Sequence, residues 1–154
     1  MQIPQSSRDA INSKLLLGES VLLTARLRVP KVGTQGVTFF TVAMFVRLFD
    51  EIRNTAKLRE LKRQSLELNF PLDRSMIVCI TDDRILLWKT SMFHRAIGYL
   101  GDVPRERVRS ASPPHVSDGK WKFVRIQTVD GASIQLLVDG QSALAFSQML
   151  TPTI

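Results

Sequence analysis

Apolar positions along this chain come mainly in short runs broken by turn-forming residues. The densest is Met76 to Lys89, two strand-length apolar stretches joined by Thr81-Asp82-Asp83-Arg84, and it predicts a hairpin. Both stretches are apolar at nearly every position, so both faces of this hairpin should be covered. Ahead of it, Ser6 or Ser7 with Asp9 predicts the start of a short helix, with Gly18 beyond its end near Leu17. Ser20 to Val29 then alternates, Leu23, Ala25, Leu27 and Val29 on one face and Thr24, Arg26 and Arg28 on the other, as a first strand should.

Beyond the hairpin, Phe93 to Leu100 and Val103 to Ala111 predict two strands separated at Gly101-Asp102, and Ser112-Pro113-Pro114-His115 predicts a loop. Lys120 to Val129 and Ser133 to Val138, joined at Asp130-Gly131, predict a second hairpin. Asp139 or Ser142 caps a final helix that presents Ala143, Leu144, Phe146, Met149 and Leu150. Between the first strand and the central hairpin lies a different pattern. From Val37 to Phe49 only Thr38, Thr41 and Arg47 are polar, and no proline or glycine occurs from Val37 to Phe70, so this stretch predicts one or two helices. The apolar part is well short of the roughly 20 residues that span a bilayer. Its apolar side chains, Phe39, Phe40, Val42, Phe45, Val46 and Phe49 among them, point all round a helix, and a single core covers only one side.

Composition changes this picture at two points. A chain of 154 residues, 44% hydrophobic and 23% charged, is the size and balance of one globular domain. The net charge of +7 is uneven: residues 1–35 carry five basic and two acidic side chains, 36–63 six and three, and 64–154 ten and nine. An anionic partner should therefore meet the first 63 residues. The single cysteine, Cys79, lies inside an apolar strand run and reads as a small buried hydrophobe. With no disulfide and no secretory pattern at the N-terminus, the chain reads as cytoplasmic, with the inner membrane face as a peripheral site.

Candidate chemistry is sparse. His94 and His115 lack a Cys or Glu at metal-ligand spacing, and no nucleophile elbow, zinc-helix or phosphate-loop motif occurs. The expectation is no enzyme and no cofactor. Two basic sets remain. Arg105, Arg107 and Arg109 fall on one face of a strand and Lys120 and Lys122 on one face of the next, so pairing of those strands would gather five cations, although a solvated outer face is the plainer reading. Arg53, Lys57, Arg59, Lys62 and Arg63 follow the apolar stretch, an arrangement suited to a membrane interface or to packing against a second copy. The pI near 10.2 admits nucleic acid, but no aromatic-interleaved basic strand or finger spacing supports it.

The order of elements and three local patterns carry a resemblance. Gly18-Glu19-Ser20-Val21-Leu22 before the first strand, Ile80 to Trp88 at the central hairpin, and Val103-Pro104-Arg105-Glu106-Arg107-Val108 resemble the bacterial PH-like domain families of the pleckstrin-homology superfold. The match covers residues 18–29 and 75–150. It implies an α+β fold over 1–154, a bent antiparallel sheet or barrel of about seven strands, with a C-terminal capping helix and a helical insert at about 36–68. In those families a short turn normally joins the first two strands, so the insert is this chain's own. The resemblance implies a binding module whose partners are a second copy or another protein, with an anionic, phosphoinositide-like headgroup as the alternative.

Overall fold

A computed structural model of the chain describes residues 3–28, 70–71, 73–91 and 95–151, without the side chains of 116–118. The predicted insert, its apolar and basic residues, and His94 lie outside the described residues. Two helices, one 3-10 turn and eight strands are described: α1 (Gln5–Asn12), β1 (Val21–Arg28), β2 (Ser75–Thr81), β3 (Arg84–Thr90), β4 (Ala96–Pro104), the turn at Arg105–Arg107, β5 (Val108–Ala111), β6 (His115–Asp118), β7 (Trp121–Thr128), β8 (Ser133–Asp139) and α2 (Ala143–Leu150). Every strand pairing is antiparallel, and the sheet runs β4-β3-β2-β1-β8-β7-β5, with β6 also on β7. The class is α+β, an antiparallel sheet with a C-terminal helix.

One cluster takes inward side chains from both ends of this path. Val103 of β4, Val78 and Ile80 of β2, Leu27 of β1, Leu136 of β8, Val124 of β7 and Val108 of β5 all join it, together with Ala143, Phe146 and Leu150 of α2. Seven strands at about 4.8 Å spacing would make a flat sheet roughly 30 Å wide, far beyond the reach of an eight-residue helix about 12 Å long. The sheet must therefore curl for α2 to close over its interior. The sequence pattern is corrected at Leu144, which is 59% exposed and takes no part in the core.

The central hairpin is covered on both sides, as its uninterrupted apolar pattern requires. Met76, Val78, Ile80, Ile85 and Leu87 face the main core, while Ile77, Cys79, Leu86 and Trp88 form a second buried cluster with Ile11 of α1. Ser7, also buried, accepts the Ala96 N–H on its Oγ at 2.9 Å and ties α1 to β4. Burial pushes the Cys79 thiol up to about 11, against a small opposing effect of a hydrogen bond with Thr24. With about a hundredfold less thiolate than an ordinary cysteine at neutral pH, and no solvent access, it should label with iodoacetamide at least about a hundredfold more slowly than in urea. Equal rates would place the thiol at the surface.

Boundaries moved where tertiary pairing overrides local signals. α1 begins after Pro4, with no side-chain cap from Ser6 or Ser7, and it ends at Asn12 well before Gly18. The predicted break at Gly101-Asp102 is an irregularity inside β4: the register against β3 slips between Tyr99 and Gly101, and the strand continues to Pro104. Glycine fits there because φ is +146° and a Cβ would come 3.3 Å from Pro71 Cγ. The true break is the 3-10 turn at Arg105–Arg107, and His115, expected in a loop, starts β6. The Asp130-Gly131 turn forms as expected, with Gly131 at φ +86° between β7 and β8.

Candidate interaction surface

The patterns before β1 and at the central hairpin meet in a single polar network. Thr81 Oγ1 donates to Glu19 Oε1 at 2.7 Å and accepts the Arg84 N–H at 3.1 Å, which closes the Asp82-Asp83 turn. Arg84 grips Glu19 with two donors, Nε to Oε1 at 2.8 Å and Nη2 to Oε2 at 2.9 Å, and reaches Asp102 Oδ2 with Nη1 at 2.6 Å. Glu19 Oε2 also accepts the Leu16 N–H at 2.8 Å, and Arg84 Nη2 donates to the Lys14 carbonyl at 2.6 Å. Glu19 is 3% exposed and Arg84 17%, so this fork is largely shielded from water. The Arg84 guanidinium, outweighing desolvation, lowers the Glu19 carboxyl to about 2; its own carboxylate partners raise Arg84. These residues hold the approach to β1 against the hairpin turn, and their donors and acceptors are taken up in doing so.

The five cations that strand pairing would have gathered do not assemble into a patch, in keeping with the plainer reading of a solvated face. Arg105 and Arg107 lie in the 3-10 turn, not on a strand. Arg105 donates to the Thr81 and Asp82 carbonyls at 3.3 and 3.2 Å and to the Met149 carbonyl, clamping the hairpin turn to the last turn of α2, where a cation suits the helix dipole. Arg107 pairs with Asp130 at 2.8 Å. Arg109 is exposed on β5, level with the Gln127–Thr128 end of β7, whereas Lys122 pairs with Val138 at the other end of β7, about 20 Å along the strand. Lys120 is exposed in the turn before β7. The apolar candidates Phe39, Phe40, Val42, Phe45, Val46 and Phe49 and the basic candidates Arg53, Lys57, Arg59, Lys62 and Arg63 lie outside the described residues.

A different group comes together on the outer face of β1, β8 and β7. Leu27 opposite Val138 and Trp121 opposite Asp139 fix the register, so the outward residues Arg26 and Arg28 of β1 lie near Trp121. The Arg28 guanidinium stands 4.3 Å from the Trp121 ring centroid and that of Arg26 5.7 Å, within cation–π range. Phe123 and the exposed Arg125 continue the same face along β7, and the His115 ring lies 6.1 Å from that of Phe123. Alternation alone places Arg26 and Arg28 on one face and Trp121, Phe123 and Arg125 on another. No local signal shows that β8 brings the two together.

Among the described residues no group of three or more His, Cys, Asp or Glu side chains is placed to hold a metal ion, and no helix is long and apolar enough to cross a membrane. Compared with family models, curated proteins and solved structures, the chain matches none.

Proposed function

We propose that the chain is a PH-like, non-catalytic binding module, with the apolar and basic insert as a docking surface for a second copy or a protein partner at the inner membrane face. The observation that carries this reading is the register of β1 and β2. The two strands stay paired from Val21 opposite Thr81 to Arg28 opposite Ser75, so the chain departs from and returns to the sheet at neighbouring positions. A segment added at such a place leaves the strand ladder undisturbed and is available for another purpose. An antiparallel sheet whose core is closed by a C-terminal helix, as the resemblance implies, supports this reading.

The apolar composition of the segment favours docking over exposure to water. Each Phe or Leu side chain left in water forgoes roughly 1.5–3 kcal/mol of burial, against a net stability of about 5–15 kcal/mol. A surface that pairs with its own copy is the commonest way to cover such residues. Light scattering and co-sedimentation with phosphatidylcholine vesicles, with and without phosphatidylserine, test the proposal on the wild type and on Phe45→Ser/Phe49→Ser. Self-association or vesicle recovery should fall at least about tenfold in the double variant, with the far-ultraviolet dichroism of the sheet retained. A strictly monomeric wild type that ignores both vesicle types, with a double variant that unfolds, would make those phenylalanines ordinary core.

A further inference from the structure

Resting on that reading of the chain as a docking module, we infer that the outer face of β1, β8 and β7 receives an acidic, extended segment of a partner protein. Arg26, Arg28 and Arg125 hold its carboxylates. None of the three has a carboxylate partner among the described residues, in contrast to Arg84 and Arg107. Asp139 shares the face, its Oδ1 accepting the Gln141 N–H and its Oδ2 buried without a hydrogen-bond partner, so one carboxylate stands among three guanidiniums and the face keeps a positive excess.

Geometry favours a polypeptide over other anions. A guanidinium stacked on an indole is held in orientation while its in-plane donors, apart from the buried Nε of Arg26, stay available as the fork that matches a carboxylate. Trp121 and Arg125 are four residues apart on β7, about 13 Å. That is also the span of four residues of an extended partner chain, so acidic residues four apart would meet the arginines stacked on Trp121 and then Arg125. A single-stranded nucleic acid would need open aromatic faces to stack its bases. Trp121 is only 6% exposed and already faces two guanidiniums, which removes the main platform. A flat lipid surface would meet the exposed Arg125 but not the half-buried Arg26 and Arg28, which lie against Trp121.

The probe is labelled poly-L-glutamate, titrated by fluorescence anisotropy at near-physiological salt, beside labelled oligothymidylate and phosphatidylserine vesicles. Arg26→Gln/Arg28→Gln/Arg125→Gln should weaken polyglutamate binding about tenfold or more, the product of three partly exposed ion pairs. A control removing equal charge elsewhere, Arg8→Gln/Lys14→Gln/Arg95→Gln, should leave it essentially unchanged. If the first triple variant fails to fold, Arg125→Glu alone, at an exposed position, should still weaken binding. The inference is overturned by equal losses in both triple variants, by no binding of polyglutamate, or by tighter binding of oligothymidylate or vesicles that depends on the same arginines. None of these outcomes turns on Phe45 or Phe49, so failure here and failure of the insert's docking role remain distinguishable.

Discussion

Phe146→Ala should lower the unfolding free energy by about 3–5 kcal/mol, the range for truncating a large core aromatic, with a proportionate drop in the urea midpoint. Phe146 is 1% exposed and belongs to the cluster that draws side chains from both ends of the sheet, with Ala143 and Leu150 one turn away on either side. Removing the ring leaves a cavity where the helix closes the sheet interior, and β1, β8 and β7 around it are hydrogen-bonded to neighbours on both sides and can collapse only partly. Against a net stability of about 5–15 kcal/mol, a loss of this size leaves a marginal protein. Leu144→Ala on the same helix is the comparison: at 59% exposure it should change stability by no more than about 0.5 kcal/mol. Similar losses at the two positions would mean that α2 does not close the core.

Glu19→Gln should cost about 2–3 kcal/mol at neutral pH and flatten the acid side of the stability profile. Breaking a fully buried pair costs about 3–5 kcal/mol; the lower figure follows because Arg84 keeps 17% of its side chain in water and retains Asp102. The Glu19 carboxyl titrates near 4.5 when unfolded and near 2 when folded, through its hydrogen bonds with Arg84. Between those values the unfolded chain binds more protons, so stability rises with pH. The contribution is complete above about pH 4.5 and is lost as pH falls toward 2. Urea titrations at pH 7 and at successive points down to pH 3 should show the wild type losing this increment and Glu19→Gln lacking it, on top of a slope common to both from the other carboxylates. Parallel profiles for the two proteins would remove Glu19 from the stabilising network.

By itself the sequence determined the elements whose signal is local and repeated. Apolar residues throughout Met76 to Ile80 and Ile85 to Trp88 meant a hairpin buried on both faces, and the structure supplies a second cluster of Ile77, Cys79, Leu86 and Trp88 for the outer one. Asp130-Gly131 meant a turn, and Ala143, Phe146 and Leu150 meant a helix face to be buried. Tertiary structure decided which surfaces meet. A period of two assigns a side chain to a face but does not name the neighbouring strand, so Arg109 and Lys122, each correctly placed on a surface, end up at opposite ends of β7. Nor does it show that β8 lies between β1 and β7, which is what brings Arg26 and Arg28 to Trp121. Glu19 and Arg84 stand 65 residues apart, and neither has a local pattern that identifies its partner. Only the pairing of β1 with β2 brings them together, because the benefit of burying a charge depends on the opposite charge arriving at the same place.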